Sequence, residues 1–180
     1  MDEIDAPLIG VQARIEDAGV LADNGRYEGA LLMLLVAVAA TSRRRYPYGT
    51  PSEKKPGHRM SDREAFTTFL RAEIWRLVRE HEDHIEYRGK RMPIEDFLYN
   101  YLRCHLVHEG RTPLDLYPVG DGDVFTIAYP NGTGISFPRL LLTRLNDVVW
   151  RAPENSYEAT KQEIDAVRQR RARYQLPRSS

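Results

Sequence analysis

The sequence predicts a mainly α-helical domain, a helical bundle with a β-hairpin inserted near residues 124–137. Apolar residues recur at helical spacing in several long segments of the chain. After Gly110 the pattern changes, and two short β-branched and aromatic runs flank an Asn-Gly turn, as in a hairpin. A chain of 180 residues with 42% apolar and 29% charged residues has the size and composition of one globular domain. We therefore expect a single helical domain over residues 1–180.

The first part of the chain contains four predicted helices, over residues 4–21, 27–45, 61–84 and 94–109. The second is apolar on nearly every side, which is typical of the central helix of a bundle. Ser61 is a natural N-cap, with Glu64 in capping-box position, and Gly110 is suited to end the fourth helix. Residues 48–60 contain two Pro and two Gly and no evident apolar anchor, which predicts a mobile surface loop or the rim of a cleft.

The second part of the chain combines the predicted hairpin with two further helices. Residues 124–129 and 135–137 form its strands on either side of the Asn131-Gly132 turn. Pro138 begins a helix that reaches Trp150. A last, more polar helix begins after Ser156 and extends to about residue 174.

Charge and cysteine content exclude some classes of protein. Lys plus Arg equals Asp plus Glu at 26 each, which argues against coating of nucleic acid by bulk charge and leaves room for a small basic cleft. Arginines cluster at 43–45 and 168–173, where runs of this kind are more often solvated helix ends. The single cysteine, Cys104, permits neither an intrachain disulfide nor a cysteine-based zinc site.

Hydropathy and the N-terminal sequence indicate a cellular compartment. The longest apolar stretch, residues 30–40, falls short of the roughly 20 residues that span a bilayer. The acidic N-terminus shows no secretory leader. We therefore expect a cytoplasmic protein without a membrane partner.

The helix predicted over residues 94–109 has two distinct faces. A wheel of about 100° per residue places one apolar stripe on the core side; it comprises Ile94, Phe97, Leu98, Tyr101, Leu102 and His105. Arg103 falls about 180° from Ile94, among Tyr99, Leu106 and Val107. Apolar side chains on that second face predict a protein interface, and the simplest partner is a second copy of the chain in a homodimer.

Arg103 and His108 are the candidate catalytic residues of this helix. They lie about 140° apart on the wheel and do not meet within one straight helix, but two-fold pairing would bring a second Arg103 and His108 close by. A guanidinium matches phosphate oxygens in bidentate fashion, and an imidazole exchanges protons near neutral pH. These groups suffice to cleave RNA through its own 2′-hydroxyl, with no metal or cofactor.

The sequence around these residues resembles a known family. Tyr101-Leu102-Arg103-Cys104-His105-Leu106-Val107-His108-Glu109-Gly110 resembles the signature of HEPN-domain proteins, an Arg followed four to six residues later by His. Asn24-Gly25-Arg26-Tyr27-Glu28-Gly29-Ala30, which opens a long apolar helix, is similar to the early helices of that family.

The resemblance implies a metal-independent endoribonuclease, often a toxin or defence effector. Such a protein would act as a homodimer on RNA, with a cognate regulatory protein as a further partner, and the motif carries over to Arg103 and His108. Cys104 stands where many members have Asn, Asp or His. Some members of the family are inactive binding or regulatory modules.

Each of these residues would also suit a role that involves no catalysis. Arg103 fits a surface salt bridge, His108 the negative end of the helix dipole, and His105 a hydrogen-bonded place in the core. His105, His108 and Glu109 do not match the His-Glu-x-x-His metal motif, and Cys104 has no evident base to activate it as a nucleophile. The rival function is a non-catalytic helical module for dimerisation or regulation.

Overall fold

Helices make up most of the part of the chain that the computed structural model describes, residues 10–77, 83–111, 116–118, 135–137, 139–156 and 161. The α-helices are α1 (Val11–Asp23), α2 (Tyr27–Arg45), α3 (Asp62–Ala72), α4 (Ile74–Leu77), α5 (Ile94–Phe97), α6 (Cys104–Glu109) and α7 (Leu140–Trp150). A π-helical segment, Leu98–Arg103, joins α5 to α6, and a short 3-10 turn, Pro153–Asn155, follows α7. The strands are β1 (His84–Tyr87), β2 (Lys90–Pro93), β3 (Leu116–Pro118) and β4 (Ile135–Phe137).

Helix α2 lies at the centre of this bundle, as its all-round apolar sequence predicts. It packs against α1, α3, α7 and the π segment. Leu31, Leu35 and Val38 have no solvent exposure. The prediction of a mainly α-helical fold with a small β-hairpin is therefore confirmed.

The predicted helix over residues 61–84 is interrupted at Glu73 and does not include His84; α4 continues it over Ile74–Leu77, and residues 78–82 lie outside the described chain. Ser61 caps α3 by accepting a hydrogen bond from the Glu64 N–H at 3.1 Å, as predicted, but α3 ends at Ala72 and His84 begins strand β1. Strand β1 pairs antiparallel with β2, with Tyr87 opposite Lys90. The Arg88-Gly89 turn between them has positive φ at both residues, 50° and 70°, which suits the right-handed twist of a two-residue hairpin.

The β-hairpin of the described chain therefore lies earlier than the one predicted near residues 124–137. Strand β4 forms where the second strand was expected, but its described partner is β3, in a parallel pair with Leu116 opposite Ile135. The predicted first strand and the Asn131-Gly132 turn lie outside the described residues, as does most of the helix expected after Ser156. The earlier hairpin was missed because Ile85 and Tyr87, both buried, form only a short alternating pattern.

Helix α1 begins at Val11 rather than at residue 4, and residues 1–9 lie outside the described chain. No helix in the described ranges is both long enough and apolar enough to cross a bilayer.

Candidate functional site

Residues 94–109 form one continuous helix, here called the motif helix, which contains a π-bulge. In the π segment the backbone N–H of Cys104 bonds to the carbonyl of Tyr99, five residues back instead of four. One extra residue in that turn sets every later residue back by about 100° on the helix wheel. Arg103 therefore falls about 80° from Ile94 instead of 180°, and Leu106 falls about 20° from it.

This rotation overturns the second face predicted for the motif helix. Leu106 is 3% exposed and belongs to the core, and Tyr99 packs edge-on against Phe66 with ring centroids 5.3 Å apart. Of the three apolar residues expected to meet a partner chain, Val107 alone is exposed. The expected core stripe is present, because Ile94, Phe97, Leu98 and Leu102 are all buried. The regular wheel failed because it assumed α-helical spacing through the π segment.

Arg103 lies beside helix α3 and makes no ion pair with any described residue. Its guanidinium carbon is 5.1 Å from the Tyr99 ring centroid and 6.0 Å from that of Phe66. Its Nε is buried without a hydrogen-bond partner. Cation–π contact offsets part of the cost of that burial, but the hydrogen-bonding capacity of the guanidinium remains unused by the described chain. This is the property expected of an anion-binding arginine.

His108 lies in the last turn of α6, exposed, and no described side chain bonds to it. Gly110 follows at φ 69°, a left-handed residue that ends the helix as predicted. Arg103 is the last residue of the π segment and His108 follows five α-helical residues later, so their angular separation stays about 140°. The structure does not bring the two candidate side chains together within one chain.

His105 is partly buried rather than a satisfied core histidine. Its Nδ1 lies 2.9 Å from Oε1 of Glu109, one turn ahead. The angles do not make a hydrogen bond, so the ring nitrogen stays unpartnered. Cys104 is a free, partly buried thiol, and no cluster of three metal-ligating side chains occurs in the described ranges.

A cleft of about 520 Å³ joins the two sequence segments that carry the HEPN resemblance. The N-cap and first turn of α2 supply Arg26, Tyr27 and Glu28, while the motif helix and its C-cap supply Leu106 and Gly110. The Tyr27 ring is covered on one side by the guanidinium of Arg139 at 4.3 Å. Neither Arg103 nor His108 lines this cleft.

The arginines at 43–45 are not a solvated helix end. Arg45 makes a bidentate contact with Glu154 at 2.6 and 3.2 Å and reaches Glu73 at 2.9 Å. The hydrogen bond to Glu154 raises the pKa of Arg45. Arg44 bonds to Asn155. These cations tie α2 to α3 and to the turn after α7, and they are not available to a ligand.

The loop between α2 and α3 is anchored more firmly than its sequence indicates. Residues 48–60, here called the basic loop, lie at the surface as predicted, but Met60 is 4% exposed and anchors the loop to the protein. The Glu64 carboxylate accepts hydrogen bonds from the Ser52 hydroxyl and from the backbone N–H groups of Glu53 and Lys54. Burial alone would raise the pKa of Glu64, but these hydrogen bonds hold it below its usual range.

The described fold and site define a mainly helical protein with an unpaired arginine and an exposed histidine on one bulged helix. A family model matches residues 10–179, and the chain belongs to the Rv1289 family. No curated protein and no solved structure matches it. The resemblance to HEPN proteins therefore depends on the motif residues themselves.

Proposed function

We propose that this protein is a HEPN-like, metal-independent endoribonuclease or RNA-binding effector whose cleft combines Arg103 and His108 of two chains. The observation that supports it most is the state of Arg103. Several arginines of the described chain are used in ion pairs, as Arg45 and Arg71 are, whereas Arg103 has no acidic partner among the described residues. An unpaired guanidinium held by aromatic rings is suited to a phosphate group.

Two chains are required because the helix separates the two side chains. At about 140° apart, Arg103 and His108 of one chain point to different sides of the motif helix. A two-fold axis near the end of α6 would place the arginine of one protomer opposite the histidine of its partner. The predicted apolar interface does not support this arrangement, because Leu106 and Tyr99 pack inside the chain. Val107 and the polar end of α6 remain for the contact.

In this mechanism Arg103 binds the scissile phosphate and stabilises the charge that develops on its oxygens. One His108 takes the proton of the 2′-hydroxyl, whose oxygen then attacks the phosphorus. The bond to the 5′-oxygen breaks, and that oxygen takes its proton from a water molecule, so each site uses one Arg103 and one His108. The products are a 2′,3′-cyclic phosphate and a free 5′-hydroxyl.

A non-catalytic helical interaction module is the second candidate, and one observation favours it. The guanidinium of Arg103 lies over Phe66 and Tyr99 with Nε inaccessible to water. An arginine in that position also fastens the motif helix to α3 through packing of its side chain. If that is its role, replacement of Arg103 lowers stability without removing any reaction.

The test is incubation of the purified protein with mixed RNA in EDTA. We expect cleavage to persist and His108→Ala to reduce its rate by about 10²–10⁴-fold, the usual contribution of an acid–base group. Arg103→Lys should not restore the activity lost in Arg103→Ala, because an ammonium lacks the bidentate match to phosphate. Arg91→Ala and His84→Ala, at exposed positions of the hairpin, serve as matched controls. Cleavage that needs a metal, or an active Arg103→Ala/His108→Ala variant, would refute the proposal.

A further inference from the structure

The basic loop concentrates unpaired cations in a protein of zero net charge. Lys54, Lys55 and Arg59 are exposed within six residues, and no described residue forms an ion pair with them. His58 adds a fourth titratable nitrogen at the same surface. Elsewhere in the described chain, several cations meet carboxylates, such as Arg43 with Asp62 and Arg63 with Asp96.

The buried Glu64 carboxylate of α3 and backbone hydrogen bonds hold the basic loop in one conformation. Glu64, 7% exposed, binds three donors of the loop, and backbone bonds join Ser52 to His58 and Met60 to Thr50. A buried carboxylate costs free energy that these hydrogen bonds must offset. A merely solvated loop does not need such an anchor, whereas a surface that presents cations at fixed spacing does.

An aromatic ring lies at the start of the same loop. Tyr48 is 81% exposed, and the guanidinium carbon of Arg43 lies 4.6 Å from its ring centroid on one side. A large exposed ring beside fixed cations is the combination by which proteins bind single-stranded nucleic acid, since bases stack on the ring and phosphates meet the cations. An acidic protein as the partner would pair with the cations, but it has no nucleobase to stack on Tyr48.

We propose that the basic loop is a binding surface for single-stranded RNA, with phosphates on Lys54, Lys55 and Arg59 and a base on Tyr48. This rests on the proposed function in that the bound strand is the substrate. Helix α3 links the two places, because Glu64 holds the loop and Phe66, two residues on, lies beside Arg103. The loop binds the strand at a distance from the reacting phosphate.

The first experiment compares two charge-matched double variants by fluorescence anisotropy. The probe is a labelled 2′-O-methyl RNA of about 12 nucleotides, within the usual site size and resistant to cleavage through its 2′-oxygen. We expect Lys54→Gln/Arg59→Gln to weaken binding about tenfold and to reduce the salt slope by about 1.4, for two lost phosphate contacts. Lys90→Gln/Arg91→Gln removes the same two charges from the exposed hairpin turn and should change both values little. Equal binding by the two variants would overturn the inference.

Two single variants test the preorganisation and the stacking. Glu64→Gln makes the protein more positive, so charge alone would give tighter RNA binding. We expect the opposite, binding about threefold weaker, because loss of the anchor disorders the loop and raises the entropy cost of binding. Tyr48→Ala should weaken binding about fivefold or more while Tyr48→Phe retains it. Tighter binding by Glu64→Gln, an unaffected Tyr48→Ala, or full competition by polyglutamate would each contradict an RNA surface.

The outcomes separate this inference from the proposed function. RNA that binds through the loop but is never cleaved in EDTA supports the surface and refutes the ribonuclease. Cleavage with an unchanged KM in Lys54→Gln/Arg59→Gln supports the ribonuclease and refutes the surface. A loop variant that raises KM and leaves kcat unchanged supports both, because the loop contributes uniform binding and no chemistry.

Discussion

Glu64 shows how one side chain takes a role different from the one its spacing suggests. Its position three residues after Ser61 fits a capping box, and Ser61 does accept the Glu64 N–H. The carboxylate does not return to the Ser61 backbone but turns to the basic loop, where Ser52 and two N–H groups supply more hydrogen bonds. A buried carboxylate is stabilised by the larger number of donors.

The depressed pKa of Glu64 makes a prediction about stability and pH. The hydrogen bonds to its ionised form stabilise the folded state above the unfolded-state pKa of about 4.3. That contribution is lost as the pH falls through the lower folded-state value. We therefore expect thermal melts of Glu64→Gln and the parent to differ near neutral pH and to converge as the pH falls below about 4. Glu16→Gln, at an exposed carboxylate of α1 with no ion pair to a described residue, is the control. A gap that widens on acidification would contradict this pH dependence.

At the scale of elements, the π-bulge decides which side chains the motif helix presents. The bulge absorbs one residue, so Ile94 before it and Leu106 after it both reach the core. Removing that residue would return the helix to α spacing, and the core residues before and after the bulge would still face the same side. A deletion in a regular helix has the opposite effect, because it rotates every later residue by about 100°.

This difference predicts the outcome of two single-residue deletions. Deletion of Asn100, partly buried in the π segment, should leave a protein that still folds, as measured by urea denaturation. Deletion of Ala40, an exposed residue of α2, should destabilise strongly, because it moves Arg44 and Arg45 out of reach of Asn155 and Glu154. The Arg45–Glu154 pair is partly buried, and its loss adds to the cost of displacing Thr41 and Ser42, which are buried. Comparable losses in the two deletion variants would show that the bulge does not set the phase.

The bulge also shows where prediction from the sequence stops. The helical class, the central place of α2 and the ends at Ser61 and Gly110 follow from local patterns of apolar and capping residues, and all were predicted. A π-bulge has no local signal of its own, because the same apolar residues are compatible with an unbroken α-helix that carries a second apolar face. The partners of Arg45, which lie 28 and 109 residues away, depend on tertiary packing and have no local signal.

At the scale of the whole molecule, the distribution of ion pairs matters more than the net charge. Arginines near α2, α3 and the turn after α7 are paired with carboxylates. Burial alone would raise the pKa of Glu154, but the hydrogen bond and charge of Arg45 and a backbone hydrogen bond together lower it. The cations left unpaired in the described chain include Arg103 and those of the basic loop. Both lie near α3, Arg103 beside Phe66 and the basic loop on Glu64.

Assembly provides the sharpest test of a site shared between chains. Arg103→Ala and His108→Ala should each be inactive alone, whereas a mixture exchanged through a brief unfolding step forms heterodimers. In each heterodimer the arginine of one protomer meets the histidine of the other at one of two sites. Statistical exchange should therefore restore about a quarter of the parent activity. Equal amounts of Arg103→Ala/His108→Ala and the parent, treated in the same way, calibrate the loss from refolding. A mixture that stays inactive, together with a monomeric mass by light scattering, would place any activity within one chain and remove the basis for a composite cleft.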